Sequence, residues 1–241
     1  MTVSERRLPP RLEKSFAFAA AGVILFTGIY PFPLSALRPA LPDWLFLLLA
    51  LIPLQAANIA SCLIPARIYE PSEPLTKLLD LKKPSGYQYI MTAAGTMGVY
   101  IVLAALTGLF VYILRKIGIQ PREQAVIELF RNGSGTEIAI LIPAVVLLAP
   151  IGEELCFRYV FFRNLEFHCG RRIAALLTAL LFAAVHMNLQ VFPALFLLSL
   201  WLSEVYRRTG SLLTAIFAHS VFNSLTVLLI YSKINPDQIR F

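Results

Sequence analysis

Long apolar runs separated by short polar segments dominate this chain. Runs of about 20 apolar residues are long enough for an α-helix to cross a bilayer. We therefore predict an all-α, polytopic transmembrane bundle of seven spans, or eight if the long third run is divided. The predicted spans are Phe16–Pro33, Trp44–Pro65, Tyr87–Leu114, Glu137–Phe162, Ile173–Met187, Val191–Tyr206 and Leu212–Tyr231. The fifth and sixth are short, and such spans persist when they are packed inside a bundle.

The polar segments divide the chain into three regions. Residues 1–136 are predicted to form an N-terminal three-span region with its loops, residues 137–231 a core that carries the polar motifs, and residues 232–241 a short C-terminal tail. Pro71–Pro84 has the composition of a solvated loop, and the apolar spacing in Pro121–Phe130 suits a short amphipathic helix at the membrane surface. Spans of this number leave little chain for a separate soluble domain.

Composition supports the membrane class, because 58% of the residues are hydrophobic and only 15% are charged. The net charge of +7 does not indicate nucleic acid, since no basic helix with interleaved aromatic residues lies outside the apolar runs. Lysine and arginine instead mark topology and contact with anionic lipid. They favour a cytoplasmic N-terminus, although four of them between Arg115 and Arg131 oppose it. The compact size favours a bacterial inner membrane, with the lipid bilayer as a partner.

Ionisable residues lie deep within three of the predicted spans. Such groups cost about 3 kcal/mol each at membrane depth and are therefore rare there without a function. Counted from the inner helix ends at about 1.5 Å per residue, Glu153 lies about 15 Å deep, His186 about 21 Å and His219 about 16 Å. One buried histidine alone is more often a packing residue. Matched depth at three positions predicts one cluster, open to the cytoplasmic side.

Local spacing divides the roles within this cluster. Glu154 and Arg158 are four residues apart and share a helix face, so Arg158 is expected to neutralise Glu154. Glu153 is rotated by about 100° and is expected to face a cavity. Pro150 removes a backbone donor and is expected to bend the helix, which makes room for water. His219 and Asn223 also share one face.

Three motifs carry a resemblance to a known family: Glu153-Glu154-x-x-x-Arg158, Phe182-x-x-x-His186 and His219-x-x-x-Asn223. In order and spacing they resemble the motifs of the CAAX protease and bacteriocin-processing family, the CPBP or Abi proteins, which include the type II CAAX prenyl endopeptidases. The motifs cover roughly residues 137–231. The resemblance implies a glutamate-type intramembrane endopeptidase that acts on a membrane-associated peptide or protein, CAAX-like and prenylated or otherwise.

The resemblance also implies roles for individual residues. Glu153 would be the general base that activates water, assisted by His186. His219 and Asn223 would stabilise the oxyanion, a contribution of several kcal/mol in comparable sites. The supporting residues would be Glu154, Arg158 and Phe182.

Alternatives remain open at this point. No cofactor is expected, but Glu153, His186 and His219 are also a possible zinc set, although no HExxH motif occurs. A non-catalytic membrane protein, such as a bacteriocin immunity factor or a scaffold, would use the same polar residues to hold helices together. A transporter is a weaker hypothesis, because no internal repeat is visible. Serine and aspartyl proteolysis fit poorly, since Ser134 lies in a polar loop and the predicted spans contain no aspartate.

Overall fold

The computed structural model describes residues 9–121 and 124–232, and within them all regular elements are helical. The predicted all-α bundle is thereby confirmed. Some residues lie outside the described ranges: Arg6 and Arg7, which are among the charges that favour a cytoplasmic N-terminus, Arg122, one of the four that oppose it, and the C-terminal tail beyond Ser232. The helices are α1 (Pro10–Ala40), α2 (Asp43–Tyr69), α3 (Leu75–Leu78), α4 (Gly86–Lys116), α5 (Ala125–Asn132), α6 (Gly135–Cys169), α7 (Arg171–Val185), α8 (Phe192–Thr209) and α9 (Leu212–Ser232).

Five of these helices, α1, α2, α4, α6 and α9, are long and apolar enough to cross a membrane. They correspond to the first four predicted spans and the last one. Helices α7 and α8 occupy the predicted fifth and sixth positions but have only 15 and 18 residues. At about 1.5 Å per residue, α7 reaches about 22 Å, less than the hydrocarbon thickness of about 30 Å. The count of seven spans therefore stays a prediction.

Helix α6 is the centre of the bundle. From Leu155 to Phe162 every residue is buried, so this stretch contacts protein on all sides. Apart from Arg158, this segment is apolar around its whole circumference, which is typical of such a position. Phe161 packs edge-to-face on Phe16 of α1, and Phe157 packs in the same way on Phe182 of α7. The N-terminal spans and the C-terminal helices thus share one core built around α6.

One group of polar contacts between segments lies at one end of the bundle. They join segments that the charge pattern predicts to lie on the same side of the membrane, namely the start of α1, the chain between α2 and α4, the end of α6, and the α8–α9 turn. The contacts are Arg11 with Glu70 and Tyr159, Arg163 and Tyr206 with Asp80, and Ser211 with Lys82. The four segments therefore lie at the same end of the bundle.

The polar link before α6 behaves as a helix start. Ser134 accepts from the backbone of Glu137, while the Glu137 carboxylate accepts from the backbone of Ser134, which forms a capping box. The short helix α5 ends just before it and buries Phe130. The predicted amphipathic helix is therefore present, displaced toward the start of α6.

Candidate active site

The first motif lies in a part of α6 with unusual winding. Pi-helical stretches, Ala144–Leu148 and Leu155–Phe162, flank the short α-helical turn that carries Pro150, Glu153 and Glu154. Wide π turns form where the normal hydrogen-bond ladder is disturbed, and they often occur at functional sites. The disturbance predicted at Pro150 thus takes the form of a widened helix that continues through the motif.

Asn223 of α9 contributes to this winding. Its side-chain Nδ2 donates to the backbone carbonyl of Val145 at 2.8 Å. In the i→i+5 pattern of a π-helix, the Val145 carbonyl would face the nitrogen of residue 150, and Pro150 has no N–H to give. The asparagine therefore satisfies a carbonyl that the proline would leave unpaired. One hydrogen of the Asn223 amide is committed to this bond, and a second remains.

Glu154 and Arg158 form an ion pair, as their spacing predicts. Arg158 Nε lies 3.0 Å from Glu154 Oε2, both side chains are fully buried, and the two groups attract as charges without hydrogen-bond alignment. Arg158 also donates through Nη2 to the hydroxyl of Ser199 at 3.2 Å and stacks over the Phe182 ring. A buried charge is tolerated only when it is paired in this way.

His219 lies between the two glutamates. Its Nδ1 is 2.8 Å from Glu154 Oε1, and its Nε2 is 3.8 Å from Glu153 Oε2. A carboxylate accepts hydrogen bonds, so Nδ1 carries the hydrogen and Nε2 points toward Glu153. Glu154 thus holds the ring in a fixed orientation. The sequence assigned Glu154 to Arg158 alone, and its contact with His219 was not predicted, because 65 residues separate the two in the chain.

His186 is fixed by the helix that ends at it. Its Nδ1 is 2.7 Å from the carbonyl oxygen of Phe182, four residues earlier, and this oxygen can only accept. Nδ1 therefore donates, which leaves Nε2 of a neutral ring as an acceptor. The Phe182 ring contacts both histidines, with centroids 4.9 Å from His186 and 5.9 Å from His219. Phe182 thus supports the cluster by packing.

A cavity of about 150 Å³ joins Glu153 and His186. The Glu153 side chain is 16% exposed, whereas that of Glu154 is fully buried. Glu153 therefore faces the cavity and Glu154 faces the protein, as their rotation on the helix predicts. The volume is enough for a few water molecules. The cavity is lined by Val23, Thr27, Leu54, Asn58, Glu153, Phe157, Val185 and His186.

Two helices outside the predicted core contribute to this cavity. Thr27 comes from α1, and Asn58 comes from α2, where Gln55 also packs directly against Gly152 of α6. The sequence offered a signal for the α2 residues, because Gln55, Asn58 and Ser61 recur at three-residue spacing inside an apolar span. All three are buried. Polar residues at that spacing lie on one side of a helix.

The described residues bring most of the predicted site together. Glu153, Glu154, Arg158, Phe182 and His219 are linked by direct contacts, and His186 joins them through Phe182 and the cavity. Asn223 is attached to the same region of α6 through Val145, and it does not line the cavity. The predicted residues therefore surround one region of the bundle, with Asn223 at its margin.

The zinc alternative requires three ligands around one point. Within residues 9–121 and 124–232, no three histidine, cysteine, aspartate or glutamate side chains are arranged to hold a metal ion. We therefore derive no chemical step through a metal, and the zinc set of Glu153, His186 and His219 stays a prediction.

Comparison with known families addresses the same region. A family model described as type II CAAX prenyl endopeptidase Rce1-like matches residues 135–225. We refer to this matched segment, residues 135–225, as the Rce1-like domain. The Rce1-like domain begins with α6, ends within α9, and contains all three motifs, so the resemblance inferred from the motifs is confirmed. It links the site to membrane proteases at the level of the family.

A relative of unknown function shares part of the chain. An uncharacterised 24.3 kDa protein of Escherichia coli is 32% identical over 124 residues, which is 49% of this chain. The chain covers 57% of that protein's length. No solved structure matches the chain.

Proposed function

We propose that this protein is a glutamate-type intramembrane endopeptidase that hydrolyses a peptide bond of a membrane-associated substrate. The observation that carries the proposal is that Glu153 faces a small cavity shared with His186, while its neighbour Glu154 is fully buried and bound to Arg158. Only one of the two carboxylates is thus available for chemistry. The Rce1-like domain supports this reaction class at the family level.

In the proposed reaction, Glu153 takes a proton from a water molecule in the cavity. His186 Nε2, left as an acceptor by the Nδ1 bond to Phe182, helps to orient that water. The resulting hydroxide attacks the scissile carbonyl carbon and forms a tetrahedral intermediate. When the intermediate collapses, the C–N bond breaks and the proton passes from Glu153 to the leaving amine. One water molecule is consumed, and no other group outside the protein and its substrate is required for the proton balance.

The negative charge that develops on the carbonyl oxygen needs donors. His219, oriented by Glu154, would donate through Nε2 when protonated, and Asn223 would donate its second amide hydrogen. Donors of this kind each contribute several kcal/mol in comparable sites, because they are oriented before the reaction begins. Asn223 must keep its bond to Val145 while it does so, which its two amide hydrogens allow.

The proposed substrate is a peptide at or in the bilayer, either a prenylated CAAX-type terminus or another membrane-associated segment. The five long apolar helices support a location in a lipid bilayer. We propose a bacterial inner membrane, which the compact size favours, and a cytoplasmic N-terminus, which the distribution of lysine and arginine favours.

The test is peptide cleavage by the purified protein and by Glu153→Gln, with farnesylated CAAX peptides and membrane-segment peptides as substrates. We expect a fall in rate of at least about 100-fold in Glu153→Gln, the usual range for loss of a general base. Glu128→Gln, an exposed glutamate on α5, is the matched control and should cleave normally. Cleavage that persists in Glu153→Gln would remove this residue as the base. No cleavage by the unaltered protein on either peptide set would favour the immunity or scaffold alternative.

The metal-free form of this reaction is part of the proposal. Metal analysis of an active preparation, before and after treatment with a chelator, checks it. We expect activity to survive chelation. Stoichiometric zinc whose removal abolishes cleavage would require the zinc-dependent version of the same protease.

A further inference from the structure

The cavity beside Glu153 is completed by residues outside the Rce1-like domain. That domain begins at residue 135, whereas Thr27 and Asn58 belong to α1 and α2. Most of the remaining wall is apolar. The N-terminal spans therefore supply polar groups to the reaction cavity, and the question is what those groups bind.

Asn58 is buried without a full set of partners. Its residue is 2% exposed, and its Oδ1 has no hydrogen-bond partner among the residues that the structure describes. Its Nδ2 makes one long bond, 3.4 Å, to Gln55 Oε1. A buried polar atom left unpaired destabilises the fold, so such an atom in a native protein requires an explanation. Here the side chain borders a cavity, so a bound group can supply the missing partner.

The other polar groups of the cavity wall have a bond or a role in the proposed reaction. The Thr27 hydroxyl donates to the carbonyl of Val23 at 2.6 Å, and His186 Nδ1 is bound to Phe182 while its Nε2 is assigned to orienting water. Glu153 is assigned to proton transfer in the proposed function. Asn58 is the remaining polar side chain in the lining.

A peptide in this cavity would bring main-chain groups of its own that need partners. With apolar walls around it, each unpaired N–H or C=O of the substrate would oppose binding. The carboxamide of asparagine carries an acceptor and a donor, the same pair that a peptide group presents in complementary form. Asn58 Oδ1 can accept from a peptide N–H, and its Nδ2 can donate to a peptide C=O.

We propose that Asn58 binds the main-chain amide of the substrate next to the scissile bond. This inference rests on the proposed endopeptidase function and adds to it a residue from outside the Rce1-like domain. Recognition through the main chain does not depend on the substrate's side chains. The register of the peptide against Glu153 would then be set in part by α2.

The test measures peptide binding in the Glu153→Gln background, where no hydrolysis is needed. The probes are farnesylated CAAX peptides in which successive main-chain amides are N-methylated, which removes one N–H at a time. We expect one N-methyl position to weaken binding about tenfold, as loss of one well-placed hydrogen bond does. In Glu153→Gln/Asn58→Leu the same N-methyl group should have no further effect.

Controls separate this role from packing. Asn164 is another buried asparagine, bound to the Leu12 carbonyl and outside the cavity lining, so Glu153→Gln/Asn164→Leu should keep the full N-methyl effect. Asn58→Ala serves as a second variant if leucine prevents folding. An N-methyl effect of the same size with and without Asn58 would overturn the inference, and so would failure of Glu153→Gln to bind any of the peptides. Asn58-dependent binding without cleavage by the unaltered protein would refute the proposed function and would leave Asn58 as a residue that binds a peptide main chain, with no scissile bond beside it.

Discussion

At the residue scale, Glu154 connects the charge balance of the site to the orientation of a histidine. One carboxylate oxygen is 3.0 Å from Arg158 Nε and the other is 2.8 Å from His219 Nδ1. Both Glu154 and Arg158 are fully buried. A change at Glu154 should therefore affect stability through Arg158 and catalysis through His219.

We predict that Glu154→Gln destabilises the protein by about 3–5 kcal/mol, because Arg158 is left as an unpaired buried charge. Glutamine can still accept from His219 Nδ1, so the ring keeps its orientation, and the rate should fall only about 10–100-fold. Thermal melts in detergent and peptide cleavage measure the two effects.

The double variant Glu154→Gln/Arg158→Met separates the effect on stability from the effect on the cleavage rate. It removes both charges together, so its melting temperature should lie above that of Glu154→Gln. If Glu154→Gln had the same melting temperature as the unaltered protein, the ion pair would not be important for stability.

Sequence reasoning succeeded at this scale where partners are close in the chain. The Glu154–Arg158 pair and the outward position of Glu153 follow from helix rotation alone. The contact between Glu154 and His219 depends on how α6 and α9 pack, which spacing does not specify. Asn58 was missed for a related reason, since an asparagine inside an apolar span shows its role only once a neighbouring helix places a cavity beside it.

At the scale of elements, the π-helical winding of α6 depends on a partner from α9. Asn223 supplies the hydrogen bond to Val145 that Pro150 lacks. The predicted effect of Pro150 was a bend, because sequence patterns identify a missing donor without showing how the helix compensates. The compensating group comes from Asn223, which is 78 positions after Val145 in the chain.

We predict that Asn223→Leu destabilises the protein by about 1–3 kcal/mol, because the Val145 carbonyl loses its donor. Pro150→Ala restores a backbone N–H, so Pro150→Ala/Asn223→Leu should recover part of that loss. Melting temperatures of the three variants measure the coupling. Additive effects, with no recovery in the double variant, would show that Pro150 and Asn223 act independently.

Helices α2 and α6 approach each other closely at Gly152. A Cβ at this position would clash with the Gln55 side-chain oxygen and lie 3.3 Å from both its Cα and its Cβ. The contact involves backbone, so the neighbour has little freedom to move away.

We predict that Gly152→Ala costs about 1–3 kcal/mol of stability. It should also lower cleavage, because it pushes α2, and with it Asn58, away from α6 and the cavity. Gly98→Ala is the matched control: nothing lies within 4 Å of a Cβ there, so it should be neutral or slightly stabilising. Melts and cleavage rates compare the two. Equal behaviour of both alanine variants would contradict the close approach.

At the scale of the whole molecule, the bundle has a polar end that the charge pattern anticipated. The contacts of Asp80 with Arg163 and Tyr206, and of Ser211 with Lys82, join segments predicted to lie on one side of the membrane. This agreement arises because lysine and arginine mark topology independently of packing. The number of spans is harder to predict, because α7 and α8 are short and carry exposed apolar residues as well as buried ones.

Cysteine labelling with a membrane-impermeant maleimide tests both the orientation and the span count. With Cys169 replaced by serine, Lys83→Cys and Arg172→Cys at the polar end should react only after the cells are permeabilised. Lys116→Cys, at the far end of α4, should react in intact cells.

Leu189→Cys, between α7 and α8, should react in intact cells if that pair crosses the bilayer as predicted. It should stay unlabelled if the pair enters the membrane and returns to the same side. The length of α7, about 22 Å, is short enough for this alternative.

Labelling of Lys83→Cys and Arg172→Cys from opposite sides of the membrane would contradict the arrangement of helices in the bundle. Reversal of the whole pattern would overturn the cytoplasmic N-terminus while leaving the fold intact. The two outcomes at Leu189 decide whether the Rce1-like domain crosses the membrane four times or encloses its site with a helix pair that does not cross.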